Sequence, residues 1–569
     1  MNAQAQAQKP IRPLTWIYTK HFLLIAGVVF TFHLIFSAFG YNPTDDGFNL
    51  AYARRLLEGE IPHRDFISIR PVGSPLFHLL FLPFGGDYTY LLTRGIVTAQ
   101  IVIFTWLWIQ ILKKKLSLDF SWNQESLLLI VATLCNLGCP VYAWYTTDGI
   151  FFCTLGVAFC TFYPRLKFWG YFLIGFAVLC KQNFVFFALG APFLLGDRKK
   201  ASAWIGAALP GILYLAFLAY FKALPDYFLQ VTSHTSFLDI GTKPYMHRYF
   251  MIPLIAGAIL SLLVRKFGKS LAPLLSGLVL INLLICSMGI FLGKVMPPAL
   301  SSFGLSIGII AASLFDREEK RALIRWGTAI VLLNWAGAIS ISGPFPFHSW
   351  GILVVFLFFA AEEEFSFSHH FLLKNGLVAS TLIAALLIAH GRLHFLGREK
   401  PMSECTYSLD GLFPGCKGIQ TNGNTHAFLV DMNKALQKVK GSRYAILPDC
   451  PGYWVKAKER NPLPMDWVQR LEIFHPKLIE RMKHVLLAEK EKKTKFLIQK
   501  IQAHNLATAA FPEPLHLVDE ELNFGLNEFA HYRFEDEPDK KYGGYYGLTQ
   551  FVIDHFKKVD ETQFFEIFE

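Results

Sequence analysis

Charge is what this sequence has little of: Asp, Glu, Lys and Arg make up 17% of its 569 residues, against about a quarter in an ordinary soluble protein. With 53% hydrophobic residues, that scarcity excludes a soluble globular chain and leaves a polytopic membrane protein. Cysteine is sparse where it could cross-link. Of nine, only Cys405, Cys416 and Cys450 lie in a hydrophilic stretch, and the others fall in or beside apolar runs, where a thiol behaves as a small hydrophobe. No disulfide scaffold is therefore written here. There is no internal repeat and no low-complexity linker beyond the N-terminal Ala-Gln tract, and the histidines of the C-terminal part lack the tight spacing of a zinc site. The start, MNAQAQAQKPIRPLTW, is basic, but the apolar run behind it has no small-residue cleavage pattern and reads as a retained first span.

Apolar runs of spanning length recur near 21–40, 90–112, 124–143, 149–163, 202–221, 249–264, 271–292, 299–315, 326–342, 350–361 and 371–390. Between 168 and 196 two shorter runs, broken by Lys181, Gln182 and Asn183, form either two short spans or a re-entrant pair. Both readings leave the parity unchanged, and the total is about 11 to 13 spans. The net charge of +11 comes from clusters between these runs, so it describes topology and implies no nucleic-acid partner. Lys113 to Lys115, Arg165 with Lys167, Arg198 to Lys200, Arg265 to Lys269 and Asp316 to Arg325 alternate with less basic turns. The positive-inside rule puts them and the N-terminus in the cytoplasm, with the turn carrying Glu362, Glu363 and Glu364 as a poor fit.

It follows that the chain is expected in the inner (plasma) membrane, with the loops 41–89 and 223–248 and everything after about 391 facing a periplasm or lumen. Two domains are predicted, a membrane domain over 1–392 and an extramembrane α/β domain over 393–569. In the second, THAFLVDMNKALQKVK has helical spacing behind a cap at Asn424 or Thr425, RYAIL reads as a strand and PDCPG as a turn. KTKFLIQK and the amphipathic YGLTQFVIDHFKKV continue the helix and strand alternation. Cys405 and Cys416 both face outward on this topology and form either a disulfide or two unpaired thiols.

The polar stretch TDDGFNLAYARRLLEGEIPHRDFISIRPVGSPL, from Thr44 to Leu76, holds the candidate chemistry. Asp45 and Asp46 lie where the first span should surface, either as ordinary N-terminal acids of the next helix or as reactive carboxylates. That helix, FNLAYARRLLEGE, carries Phe48, Ala51, Tyr52 and Leu56 on one face and Arg54, Arg55 and Glu58 on the other, the pattern of a helix lying along the interface. Arg70 precedes a Pro-Val-Gly-Ser-Pro bend that cannot continue a helix. Asp148, in WYTTDG, tops an outward turn, as a helix cap or as a third acid near the pair. Lys181, wedged between apolar runs, is expensive there unless it has a partner or a function. His234, His247 and Arg248, in the loop QVTSHTSFLDIGTKPYMHRYF, read as a polar loop or as a lid.

An Asp-acid-Gly after a first span, a helix ending in Leu-Leu-x-Gly, then Pro-x-Arg-Asp-Phe and a basic residue before a proline bend resemble the first outer loop of GT-C glycosyltransferases. The likeness is to the bacterial polyprenyl-phosphate-sugar-dependent group that includes aminoarabinose transferases and protein mannosyltransferases. Asp148 and Lys181 are similar to later positions of that pattern, and an outward C-terminal domain also occurs there. The resemblance covers about the first 200 residues. Phe48 and Asn49 stand where some relatives carry an Arg-Tyr pair.

The resemblance implies an inverting transfer of a monosaccharide from a polyprenyl-phosphate donor to a lipid, glycan or protein acceptor at the outer face of the bilayer. It implies Asp45 as base, Asp46 and Asp148 as assisting acids, and Arg70 and Lys181, with Arg54 and Arg55 as weaker candidates, on the donor phosphate. A divalent metal ion, if used, would fall to Asp45 and Asp148. Two other classes stay open: a transporter or flippase of a lipid-linked saccharide, and an oligosaccharide ligase. A transporter more often shows paired halves, which this sequence lacks.

Overall fold

The computed structural model describes residues 14–569 except 119, 139–140, 233–240, 268–271, 340–344, 366–370, 396–398, 469–472, 474, 502 and 510–546. A helix stands at every apolar run. In chain order they are α1 (Leu14–Phe36), α2 (Phe48–Leu57), α3 (Gly73–Leu79), α4 (Thr89–Leu116), α5 (Trp122–Asn136), α6 (Tyr145–Phe162), α7 (Lys167–Cys180) and α8 (Val185–Leu194). There follow α9 (Ala201–Tyr220), α10 (Leu224–Val231), α11 (Arg248–Phe267), α12 (Ala272–Phe291), α13 (Met296–Ser313), α14 (Arg321–Ala338), α15 (Trp350–Phe365) and α16 (Phe371–His394). Among the described residues, seven of these stretches are long and apolar enough to cross a bilayer, and the interrupted pair α7 and α8 brackets Lys181. The chain is thus a polytopic helical membrane protein. Close helix packing rests on small residues: a Cβ on Gly304 or Gly308 of α13 would lie 2.2 Å from a carbonyl oxygen of α11.

One end of the bundle gathers the basic turns and neutralises them locally. Lys113 pairs with Glu125, Lys167 and Lys200 with Asp197, Arg265 with Asp316, and Lys320 with Glu363. The last pair bears on the acidic residues expected as a turn: they close α15 instead, and Glu363 lies against a lysine of the same end. The opposite end of the bundle carries the loop from Gly40 to Tyr88 and receives the C-terminal domain.

That domain is a four-stranded sheet between two helical layers. Strands β3 (Tyr444–Leu447), β4 (Lys495–Gln499), β5 (Lys558–Glu561) and β6 (Phe565–Phe568) run in the order β3-β4-β6-β5, after a short antiparallel pair, β1 (Tyr407–Ser408) and β2 (Gln420–Thr421). The strands β3 and β4 are parallel, joined through α18 (Pro451–Trp454) and α19 (Pro476–Glu491), and the remaining pairs are antiparallel. Alternation along β3 and β4 sorts the core. Ile446 and Leu497 face Phe428, Leu429 and Met432 of α17 (Gly423–Lys438), while Ala445, Leu447, Phe496 and Ile498 face Leu478, Met482 and Leu486 of α19. The cap of α17 is Asn422, whose side chain accepts from Thr425 N at 3.0 Å, two residues before the nearer expected cap. Among the described residues every cysteine is a free, buried thiol, so Cys405 and Cys416 are not bridged.

The carboxyl end of β3 docks on the loop from Gly40 to Tyr88. Thr44 Oγ1 donates to Asp449 O at 3.2 Å, Gly452 N to Pro43 O at 2.8 Å, and Ile67 N to Pro464 O at 2.7 Å. At Gly47 the two backbones touch: a Cβ there would sit 2.0 Å from Gly452 Cα. This contact changes the reading of α2. Its polar face was expected to lie in water along the interface, but Phe48 to Ala53 and Arg55 are all buried, because the C-terminal domain covers the side that the membrane domain leaves open. Burying that face requires partners for its guanidiniums, and the domain supplies them (below).

Candidate functional site

Helix α6 begins where Trp144 is extended, and its first turn, Tyr145-Thr146-Thr147-Asp148, assigns one contact to each side chain. The Arg70 guanidinium lies over the Tyr145 ring, 4.3 Å from its centroid. Lys181 Nζ donates to Thr146 Oγ1 and to Gly337 O, both at 3.0 Å. Thr147 Oγ1 is 3.5 Å from His348 Nδ1. Burial, reinforced by the charges of Lys181 and Arg392, lowers the His348 pKa to about 3, which keeps that imidazole neutral at neutral pH.

Asp148 is fully buried. Its Oδ2 accepts from Ser74 Oγ and from His78 Nε2 at 3.1 Å, both on α3, and its Oδ1 accepts from Gln100 Nε2 of α4 at 2.8 Å. The proline bend that was expected after Arg70 therefore turns into a short helix whose polar residues are tied to this carboxylate. Gly73 lets that helix press on α7, since a Cβ would lie 2.5 Å from the Leu179 carbonyl carbon. Asn49 Nδ2 donates to Ser74 Oγ, which extends the network to α2.

Asp45 precedes Asn49 by one helical turn, in a segment already helical in its bonding, with Asp46 N to Asn42 O at 3.1 Å and Phe48 N to Thr44 O at 3.0 Å. The backbone N of Asp45 is held by Asn42 Oδ1 at 3.1 Å. Asp46 has a different occupation. Its Oδ1 receives Arg94 Nη2 at 2.9 Å and Nε at 3.2 Å, and its Oδ2 caps Asn42 N at 2.9 Å. Arg94 also donates to Ser37 O and Gly40 O, so the buried pair stitches α4 to the exit of α1.

The two arginines of α2 are likewise occupied by the protein. Arg55 forms a two-point pair with Asp466 at 2.6 and 2.8 Å and reaches Glu60 and Leu463 O, while Arg54 donates to Trp454 O, Ala457 O and Glu58. Both guanidiniums dock the C-terminal domain instead of standing open to a phosphate. His247 and Arg248 lie at the start of α11: His247 Nδ1 accepts from Tyr249 N, Arg248 is exposed beside Tyr249, and neither bonds to the group around Asp148. His234 lies outside the described residues.

The residues present do not fit a metal ion shared by Asp45 and Asp148. Both Asp148 oxygens already accept hydrogen bonds, and no group of three metal-ligating side chains gathers among the described residues.

No protein-family model, curated protein or solved structure matches this chain.

Of the sequence candidates, then, Arg70, Lys181 and Asp148 meet at one helical turn, and Asp45 is one turn from Asn49, which bonds the Asp148 partner Ser74. Ser74, His78, Gln100, Arg94 and His348 were not singled out in the sequence. A signal for four of them existed: a histidine, an arginine or a glutamine inside or flanking an apolar run carries the same desolvation cost that marked Lys181, and Ser74 sits in the bend itself.

Proposed function

We propose that this chain is a membrane glycosyltransferase of GT-C type that moves a monosaccharide from a polyprenyl-phosphate donor to a lipid, glycan or protein acceptor. The N-terminus and the basic end of the bundle are cytoplasmic in this reading, and the C-terminal domain is periplasmic. The observation that carries it is the meeting of two cations with an ordered carboxylate network at the first turn of α6, at the end of the bundle that holds the outer loop.

In this reaction the acceptor oxygen attacks the anomeric carbon, the bond from that carbon to the phosphate oxygen breaks, and polyprenyl phosphate departs with the bonding pair. Asp45 takes the acceptor proton, and the single displacement inverts the anomeric centre. Arg70 and Lys181 face the departing phosphate. Arg70 is held over the Tyr145 ring and Lys181 is aimed by Thr146, so neither must reorganise as charge develops. Asp148 acts through others: it fixes Ser74 and His78, and through Ser74 it fixes Asn49. Asp46 is structural, as the counterion of Arg94.

The test is purified protein in lipid with a panel of polyprenyl-phosphate monosaccharides, with and without a chelator, following release of polyprenyl phosphate. Release is expected with at least one donor and should survive chelation. Inertness toward every donor would favour transport of a lipid-linked saccharide and overturn the assignment.

A further inference from the structure

At the basic end of the bundle the half-buried cations Lys113, Lys167, Arg265 and Lys320 each have a carboxylate, and Lys115 and Arg325 do not. Lys115, in the last turn of α4, lays its Nζ over the Trp326 ring, 5.3 Å from the centroid. The charges that reach it are all of its own sign: Lys114 beside it, Lys167 at the start of α7 and Arg325 near the start of α14. Three separate stretches of chain thus bring cations to one place.

Lys115 and Arg325 form no ion pair among the described residues. Lys114 is exposed; its Nζ donates to Thr161 O at 3.1 Å and lies 5.0 Å from the centroid of Phe162. Lys167 is taken by Asp197, at 2.7 Å, so the group as a whole keeps an excess of positive charge. Its surroundings are apolar and open: Tyr163, Leu166 and Trp169, around the turn from α6 into α7, are 57%, 40% and 54% exposed. Like charges drawn together and partly desolvated repel more strongly than in water, and the usual remedy is a neighbouring carboxylate. An anion from outside the chain supplies the same remedy. A bilayer holds one at this level, because exposed aromatic rings near the ends of spans mark the head-group region, and basic pockets between spans take phosphate head groups.

We propose that Lys115 and Arg325, with Lys114 and Lys167 at the margin, bind the phosphate of an anionic phospholipid whose apolar part lies against the exposed side chains of the α6–α7 turn. The guanidinium and the ammonium both pair with phosphate oxygens, and Trp326 holds Lys115 in place for it. Lys114 bonds the last turn of α6 and Asp148 stands in its first, so this site and the group around Asp148 lie at opposite ends of one helix. The lipid site is therefore independent of the transfer reaction proposed above.

The test is the full chain purified in a neutral detergent, its melting temperature followed as phosphatidylglycerol, phosphatidylcholine or inorganic phosphate is added. Phosphatidylglycerol is expected to raise it saturably, and the other two to leave it unchanged. In the double variant Lys115→Gln with Arg325→Gln the half-saturating concentration of phosphatidylglycerol is expected to rise about tenfold or more, while Lys199→Gln, at an exposed lysine of the same end, keeps the wild-type curve. Should the double variant fail to fold, Arg325→Gln alone decides in its place, with an expected rise of about fivefold. An equal response to phosphatidylcholine, a charge-removed variant that titrates like the wild type, or a Lys199→Gln variant weakened as much overturns the site. A matching shift with inorganic phosphate assigns these cations to a soluble anion and overturns the lipid site as well.

Discussion

At the scale of single residues, three carboxylates that look equivalent along the chain are given three different tasks in the proposed reaction, and substitution separates them. Asp45→Asn is expected to lower kcat by at least a hundredfold while binding of polyprenyl phosphate and the melting temperature stay at wild-type values, since general-base catalysis contributes about 10²–10⁴-fold. A near-normal turnover number would remove Asp45 as the base. Asp46 belongs to stability. Arg94→Met strands a buried carboxylate and is expected to cost about 3–5 kcal/mol, and the double variant with Asp46→Asn is expected to recover part of that loss. Strictly additive losses, measured by chemical denaturation in detergent, would contradict the pairing. The sequence marked these acids as a group because composition and position are local properties. Which of them meets Arg94 is decided by how α4 packs on the exit of α1, and the chain does not write that in any one stretch.

At the scale of elements, His63 joins three of them. Its Nδ1–H donates to Gln230 Oε1 at 2.9 Å, its Nε2 accepts from Tyr214 at 2.7 Å, and its carbonyl oxygen accepts from Arg481 of α19 at 3.1 Å. Burial, aided by the Arg481 charge, lowers its pKa to about 4, below the value of about 6.5 in an unfolded chain. The neutral ring is the one the fold accepts, so this contribution is whole above pH about 6.5 and is lost as pH falls from there toward about 4. The melting temperature is expected to drop between pH 7 and 5, and His63→Asn should flatten that slope; an unchanged slope would acquit the histidine. The junction at Gly47 and Gly452 gives a second check. Gly452→Ala places a Cβ 2.5 Å from the Tyr41 hydroxyl and 2.7 Å from Pro43 O, and is expected to loosen docking by about 1–3 kcal/mol, read as faster limited proteolysis of the C-terminal domain. Helix positions could be seen in the sequence because apolar length is a property of contiguous residues: each apolar run did become a helix. The surroundings of α2 could not, since Arg54 and Arg55 find their partners some 400 residues further on.

For the whole molecule, the ion pairs gathered at one end and the sheet domain at the other give a polarity that labelling can read. Lys199→Cys at the basic end and Lys477→Cys on the C-terminal domain both replace exposed side chains, against a background of buried native thiols among the described residues. In intact cells an impermeant maleimide is expected to modify the second and spare the first; the reverse pattern would invert the orientation proposed above. Removing the residues after 394 is expected to leave an insoluble or rapidly degraded membrane fragment, because it strips the cover from Phe48 to Ala53 and strands Arg55. Survival of that fragment at wild-type abundance would show that the loop from Gly40 to Tyr88 is stable without its partner.

The bond from Thr44 to Asp449 spans 405 residues, and a ribosome delivers its two halves in that order. During biogenesis the loop from Gly40 to Tyr88 must wait, half-dressed, until nearly all of the bundle and then the final segment have been made. The head of the chain is thus finished only by its tail, and a protein truncated by premature termination arrives with Phe48 to Ala53 uncovered and Arg55 without its carboxylate.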